Sequence, residues 1–378
     1  MTDGGRDHGP DHDALYVGLI TGTSIDGIDA ALLQVAPDAV ALLHTHAEPL
    51  PETLRDGLRA VAGGRLDAPD TLGALDAELG DRLADAVLAL LGGAGMDASR
   101  ITAIGSHGQS VCHRPDGAWP FTMQIGDPNR IAARTGIATV ADFRRRDIAA
   151  GGQGAPLAPV FHERLLAGSR GRVGVLNLGG IANLTVLDDG EVRIAFDTGP
   201  ANTLLDAWCR RHLGRAYDAD GAWSRSGHVD AALLSALLAD PYFARPPPVS
   251  TGPEYFNLAW LAPHLERHPA ARPEDIMATL VALTAESIAR AAGAHAAGLS
   301  QLYLCGGGVH NVALVAALAA ALPDVSMADT SALGVGPDWI EACAFAWLAH
   351  LRLCARPLVL GHITGSRGPV TLGGVYVP

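Results

Sequence analysis

Residues 22–29 contain the residue types that most directly suggest ligand chemistry. They read Gly-Thr-Ser-Ile-Asp-Gly-Ile-Asp and separate two short apolar runs, a pattern that predicts a strand–turn–strand hairpin. The two glycines permit backbone angles that let amide groups close around an anion. Asp26 and Asp29 would repel a bare phosphate but suit one that carries Mg²⁺. A glycine-rich hairpin that binds no ligand is the alternative interpretation.

Asp197 is the strongest candidate for proton transfer. It follows an apolar run that predicts a strand, and Gly199 and Pro200 follow it. A carboxylate at a strand end, on a turn of this kind, is well placed to act as a general base. An aspartate that caps the following helix is the alternative.

Three further segments carry residue types that suit a ligand. Gly306–Gly308 lie between a predicted strand and a predicted helix, and three glycines let the backbone lie against a planar or phosphorylated group. The arginines 144–146 precede the glycine-rich turn 151–157, so this region is either a ligand-lined loop or a solvated charged face. His107 follows the predicted strand 101–105 and is either a substrate contact or a hydrogen-bonded strand-end histidine.

The predicted elements place these residues in two similar halves. The opening strand–turn–strand pattern recurs at 173–187, which suggests duplicated α/β halves that face one cleft. Apolar spacing predicts helices at 70–91, 204–212, 278–292, 312–322 and 337–348. Glu341, in the last of these helices, is either a rim charge or a functional acid.

Composition narrows the functional classes. The chain has 378 residues and a net charge of −13, which argues against nucleic acid or an anionic membrane as a partner. All 27 basic residues are arginine, so a phosphate-binding lysine of the Walker or protein-kinase type is excluded. Five cysteines without paired spacing fit a reducing cytoplasm. We expect a flexible tail at residues 1–14 and no membrane-spanning segment.

Taken together, the motifs resemble the anhydro-N-acetylmuramic acid kinase family over almost the whole chain, from Tyr16 to Pro378. The segments that carry the resemblance are Gly22–Asp29, Gly105–Gln109, Asp142–Asp147, Gly151–Leu157, Leu176–Asn183, Asp197–Pro200, Ser250–Gly252, Cys305–Gly308 and Glu341–Trp347.

The resemblance implies an α/β fold with two actin-like ATPase (ribonuclease H-like) domains that flank a nucleotide and substrate cleft. Domain I would comprise residues 15–150 and 338–378, and domain II residues 151–337. The family uses ATP and Mg²⁺ to phosphorylate 1,6-anhydro-N-acetylmuramic acid while water opens the anhydro ring. It serves peptidoglycan recycling in the cytoplasm and usually forms homodimers.

The resemblance also implies residue roles. Asp197 activates water, and Arg146 and Glu341 line the reacting groups. Mg²⁺ is expected to accompany ATP near Asp26, with its direct ligands left open. The predicted nucleotide contacts are Gly22, Thr23, Ser24, Ile25, Asp26, Gly27, Ile28, Asp29, Gly179, Gly180, Gly306, Gly307, Gly308 and Asn311. The predicted sugar contacts are His107, Gln109, Gly154 and Pro156.

The sequence departs from the family pattern at four places. Thr21 replaces a serine, Ala201 a glycine and Pro253 an arginine, and the C-terminal motif is lost around 358–361. Two other functions therefore stay open: a sugar kinase of the same superfamily without ring hydrolysis, and a non-catalytic sugar or nucleotide sensor.

Overall fold

The computed structural model describes residues 13–22, 24–65 and 68–378. The chain divides into two compact units, unit 1 (Met1–Leu165 with Glu341–Pro378) and unit 2 (Leu166–Ile340). Residues 151–165, expected in domain II, cluster with unit 1, and residues 338–340 cluster with unit 2. Of the predicted tail, residues 1–12 lie outside the described part of the chain.

The strands of the described residues are β1 (Ala14–Thr21), β2 (Gly27–Val35), β3 (Val40–Pro49), β4 (Ile101–Ser106), β5 (Gln109–Arg114), β6 (Phe121–Ile125), β7 (Thr139–Ala141), β8 (Arg172–Leu178), β9 (Ile181–Asp188), β10 (Glu191–Pro200), β11 (Gln301–Cys305), β12 (Ser326–Asp329), β13 (Leu358–Val359), β14 (Pro369–Val370) and β15 (Gly374–Tyr376). The helices are α1 (Glu52–Ala62), α2 (Pro69–Ala94), α3 (Pro128–Thr135), α4 (Phe143–Ala149), α5 (Pro159–Leu165), α6 (Asn202–Leu213), α7 (Ala231–Leu238), α8 (Leu258–Leu265), α9 (Pro273–His295), α10 (Val312–Ala321) and α11 (Ile340–Leu353).

The two units repeat one sheet topology. In unit 1 the strand order is β15-β7-β4-β1-β2-β3, and in unit 2 it is β10-β9-β8-β11-β12. Each sheet has an antiparallel three-strand meander, and its first strand then pairs in parallel with a later strand of the same unit. The prediction of two α/β halves, each opened by a hairpin, is confirmed.

Each unit has its own apolar core. In unit 1, α2 packs on the meander and buries Leu79, Leu83 and Val87. In unit 2, α9 contacts α6, α7, α10 and β10. By length and composition α9 could cross a membrane, but 67% of its apolar window is buried inside the protein, as expected of a core helix.

Helix α11 lies directly against the backbone of the unit 1 sheet. Gly18 in β1 and Gly105 in β4 are paired neighbours. A Cβ at Gly18 would overlap the Ala342 carbonyl oxygen, and one at Gly105 would overlap that of Phe345. The two bare backbones therefore form the platform on which α11 crosses the sheet.

Replacing Gly18 by alanine is expected to lower the free energy of unfolding by about 1–3 kcal/mol, because the added methyl group collides with a helix backbone that cannot yield locally. Urea unfolding measures the change. Gly73→Ala is the control, since Gly73 in α2 has open space around it and alanine there should stabilise the helix by about 0.5–1 kcal/mol. A Gly18→Ala variant as stable as the wild type would contradict the close packing.

Candidate active site

The turn between β1 and β2 is closed by its own backbone and by one arginine. The Ile25 amide donates to the Gly22 carbonyl at 3.0 Å, and Ile25 adopts a φ of +55°. Arg59 Nη2 donates to Asp26 Oδ1 at 2.7 Å and to the Ser24 carbonyl at 3.1 Å. Thr23 lies outside the described residues. The sequence reasoning did not identify Arg59, because nothing local connects α1 to this turn.

The acids of this turn suit a magnesium ion that arrives with a phosphate. The described residues contain no cluster of three histidine, cysteine or acidic side chains that could hold a metal ion. Mg²⁺ needs only one or two carboxylates when phosphate oxygens and waters complete its shell. The Asp26 side chain is 66% exposed, so it can meet such an ion, and the residues fit a phosphate-borne metal.

His107 is held as a neutral ring under α11. Its Nδ1 donates to the Gly108 carbonyl at 2.9 Å, and its Nε2 accepts from Arg144 Nε at 2.9 Å. Burial and the Arg144 charge hold the pKa of His107 well below its usual range. The Phe345 ring of α11 lies 4.7 Å from the imidazole, centroid to centroid. Because both ring nitrogens are engaged within the protein, the sugar contact expected of His107 stays a prediction.

Arg144 is the arginine of the triple that joins the predicted sugar residues. It donates to His107 and, through Nη1, to the Gly154 carbonyl at 2.9 Å. Burial lowers the pKa of Arg144, and the charges of Glu341 and Asp147 oppose that shift. Arg146, in contrast, is exposed and lines a shallow cavity with Arg352. The catalytic role expected for Arg146 stays a prediction, and the sequence did not distinguish Arg144 from the other two arginines.

The loop 151–157 is fixed to α4 by a buried acid. Asp147 is fully buried, accepts from the Gly154 amide at 2.7 Å and accepts from the Thr364 hydroxyl at 2.8 Å. Gly154 has a φ of +73°, which favours glycine. The predicted contacts Gly154 and Pro156 therefore lie on an ordered loop whose shape depends on Asp147.

Two buried polar atoms close to His107 in sequence lack partners among the described residues. Gln109 Nε2 donates to the Ser110 carbonyl at 3.1 Å, but its Oε1 accepts no hydrogen bond. Ser106 Oγ is likewise buried without a partner. Since buried polar atoms are normally satisfied, these two suit the polar groups of a bound ligand. Gln109 was predicted from sequence, and Ser106 was not.

Asp197 lies inside β10 at a bulge, not on a turn after the strand as expected. Asp197 pairs with Asn183 and Gly199 pairs with Ala182, so Thr198 is the additional residue. A bulge changes the direction of neighbouring side chains. The next helix, α6, has Ala201 at its N-cap, so the alternative of a capping aspartate is excluded. Ala201 has a φ of −121°, outside the region that requires glycine.

Both carboxylate oxygens of Asp197 accept hydrogen bonds. Asn183 Nδ2 donates to Oδ1 and the Thr251 amide donates to Oδ2, each at 2.9 Å. Burial raises the pKa of Asp197 to about 6, the Glu254 charge adds to the increase, and the two hydrogen bonds oppose it. A carboxylate with this pKa can take a proton from water near neutral pH.

The loop after α7 fixes the backbone of Asp197. The Asp197 amide donates to the Val249 carbonyl at 3.0 Å, and the Tyr242 hydroxyl donates to the Asp197 carbonyl at 2.7 Å. Asp240 in turn accepts from the Tyr242 amide and from Trp260 Nε1. These contacts join residues that are far apart in the chain, so the local sequence around Asp197 did not predict them.

In the triple glycine, Gly306 and Gly308 are tightly packed, whereas Gly307 has open space around it. A Cβ at Gly306 would overlap Asn177 Oδ1 and one at Gly308 would overlap Leu178, whereas a Cβ at Gly307 meets nothing within 4 Å. Asn311 Oδ1 accepts from the Leu314 amide and caps α10. The carbonyls of Gly179 and Gly180 accept from the first amides of α6. Nucleotide contacts at these residues stay predictions.

Gly307→Val is expected to raise the Michaelis constant for ATP by tenfold or more without lowering the melting temperature, because only a ligand could meet the new side chain. ATP-dependent initial rates and thermal unfolding measure both effects. Gly293→Val is the matched control, since it adds the same side chain to open space on α9. Unchanged ATP kinetics in Gly307→Val would place the nucleotide elsewhere.

Two solved structures of low identity resemble the chain. Component A of (R)-2-hydroxyglutaryl-CoA dehydratase from Acidaminococcus fermentans is 11% identical, with a TM-score of 0.49 and coverage of 88% of this chain and 96% of that one. A ROK family glucokinase from Streptomyces griseus, solved with glucose and AMPPNP, is 15% identical, with a TM-score of 0.40 and coverage of 89% and 99%.

Comparison of the amino-acid sequence with protein families and curated proteins identifies relatives of much higher identity. The profile of the anhydro-N-acetylmuramic acid kinase family matches residues 14–378. The chain is 49% identical to the anhydro-N-acetylmuramic acid kinase of Coxiella burnetii (strain Dugway 5J108-111), over 96% of this chain and 97% of that protein. It is 50% identical to the enzyme of the same name from Xanthomonas campestris pv. campestris (strain 8004), over 97% and 98%. The chain therefore belongs to the anhydro-N-acetylmuramic acid kinase family.

Proposed function

We propose that this chain is an ATP-dependent carbohydrate kinase that converts 1,6-anhydro-N-acetylmuramic acid and water to N-acetylmuramic acid 6-phosphate during peptidoglycan recycling. Family membership over residues 14–378 supports the substrate class. The observation that carries the mechanism is the Asp197 carboxylate, which has both oxygens oriented and a pKa of about 6.

Asp197 acts as the general base. Neutral water is a poor nucleophile, so attack on the anomeric carbon C1 requires removal of a proton from the attacking water. Asp197 accepts that proton while the water oxygen forms its bond to C1 and the C1–O6 bond breaks. Such proton transfer contributes about 10²- to 10⁴-fold to rate. Asn183 and the Thr251 amide hold the carboxylate in place as its charge changes.

The departing O6 takes the γ-phosphoryl group of ATP, and ADP leaves. Bound Mg²⁺ would neutralise phosphate charge, and Asp26 and Asp29 are the acids in the predicted phosphate turn that could hold it. In unit 1, the buried Gln109 Oε1 and Ser106 Oγ would bind polar groups of the sugar. Arg144 would keep His107 and Gly154 in position for the same ligand.

The proposal includes a cytoplasmic homodimer. All five cysteines are free thiols, which is compatible with the reducing compartment where ATP is available. The dimer is proposed from the family resemblance alone, and sedimentation of the purified chain tests it.

The proposed reaction predicts ADP release only when the anhydro sugar is present, with the oxygen of labelled water in the C1 hydroxyl of the product. Asp197→Asn keeps the shape of the side chain but removes its basicity, so turnover should fall by about 10²- to 10⁴-fold while ATP binding is kept. A coupled ADP assay and mass spectrometry measure both. Label in the phosphate, or a fast Asp197→Asn variant, would exclude the mechanism. ADP release with an ordinary sugar hydroxyl would indicate a kinase without ring hydrolysis.

The pKa of Asp197 predicts an acid limb in the pH profile. The base is active when deprotonated, so kcat/KM should fall as the pH drops below about 6. Asn183→Ala removes a hydrogen bond that lowers this pKa, and its acid limb should therefore lie at higher pH than that of the wild type. Asn129→Ala, on the exposed surface of α3, is the control. Coincident profiles of the wild type and Asn183→Ala would contradict the role of Asn183.

A further inference from the structure

Arg59 is positioned against the β1–β2 turn by the packing of its own helix. In α1, Leu54 and Leu58 are fully buried in the unit 1 core. This anchoring places the next residue, Arg59, beside the turn, where its Nη2 atom reaches both Asp26 Oδ1 at 2.7 Å and the Ser24 carbonyl at 3.1 Å. The guanidinium thus contacts the turn through a charged partner and a backbone partner.

The charge balance of this turn needs a cation. The chain has no lysine, so an arginine must supply any side-chain cation that meets the phosphates. Asp26 on its own would repel a triphosphate, and Arg59 pairs with that carboxylate and offsets its charge. The guanidinium side chain is 44% exposed and that of Asp26 is 66% exposed, so both groups are accessible to an arriving ligand.

The Arg59–Asp26 pair is easily exchanged. Exposed ion pairs contribute little to stability, whereas arginine binds phosphate oxygens through strong, charge-assisted hydrogen bonds. An ATP molecule that carries Mg²⁺ offers a better partner to each member of the pair, phosphate oxygen to Arg59 and metal to Asp26.

We propose that Arg59 is a phosphate-binding residue of this kinase, which neutralises Asp26 before ATP binds and transfers to a phosphate oxygen of ATP when Mg²⁺ engages Asp26. The inference rests on the proposed function, because it assumes that the turn receives the ATP phosphates. It assigns to a side chain on α1 the phosphate contact that lysine supplies in other nucleotide-binding proteins.

Calorimetric titration of the full chain with MgATP, with ATP in EDTA and with adenosine tests the proposal. Arg59→Gln should weaken MgATP binding about 10- to 100-fold, as expected for loss of charged hydrogen bonds, while adenosine affinity stays within twofold. Asp26→Asn should bind ATP in EDTA at least as tightly as the wild type, since a repulsive charge is gone, but should lose most of the gain that Mg²⁺ gives.

Arg82→Gln is the matched control. Arg82 is an exposed arginine on α2 that pairs with Asp85, so the substitution removes the same charge at a site away from the turn. An equal loss in Arg82→Gln, or MgATP binding by Arg59→Gln within twofold of the wild type, overturns the proposal. So does an undiminished effect of Mg²⁺ in Asp26→Asn. Arg59→Met, which keeps the apolar stem, repeats the measurement if Arg59→Gln unfolds.

Measurements on the wild-type chain distinguish a failure of the Arg59 assignment from a failure of the proposed function. If it binds MgATP and phosphorylates the anhydro sugar while Arg59→Gln binds normally, the assignment of Arg59 alone fails. If the wild type does not bind MgATP, the proposed function and the assignment of Arg59 both fail.

Discussion

The close approach of α11 to Gly18 and Gly105 is the constraint on which the unit 1 site depends. A helix can cross a sheet at this distance only where two neighbouring strands carry no side chain on the facing surface. That approach brings Phe345 against His107 and against Phe143 at the start of α4. The glycines therefore help to determine the surroundings of His107, although they have no chemistry of their own.

The half-buried guanidinium of Arg144 then organises the polar side of the same region. Arg144 donates to an imidazole nitrogen and to the Gly154 carbonyl, and the nearby Asp147 carboxylate accepts from the Gly154 amide. The two oppositely charged side chains of α4 thus hold Gly154 at both of its backbone groups. Arg144 binds its carbonyl and Asp147 binds its amide. Such a hydrogen-bonded network fixes the shape of the loop on which the predicted sugar contacts Gly154 and Pro156 lie.

In unit 2, the surroundings of the Asp197 carboxylate raise its pKa and also stabilise its charged form. Burial alone would raise the pKa of Asp197 further, and two hydrogen bonds to its oxygens limit the increase to a pKa of about 6. The bulge in β10 supplies the direction of the side chain, and the cross-strand partner Asn183 supplies one of the hydrogen bonds. The electrostatic balance therefore follows from strand register as much as from residue type.

The sequence by itself determined the two α/β halves, the glycine turns and the candidate base Asp197, because hydrophobic periodicity, glycine runs and a strand-associated acid are local signals. It did not reveal Arg59, Asn183 or Thr251 as partners, or distinguish Arg144 from its two neighbours. Those assignments depend on which side of α1 or α4 faces the sheet and on which residues a bulge places opposite each other. Only tertiary packing decides these contacts. In a strand, a shift of one residue in register moves a side chain to the opposite face of the sheet, and the face of a helix that meets the sheet likewise depends on how the helix packs.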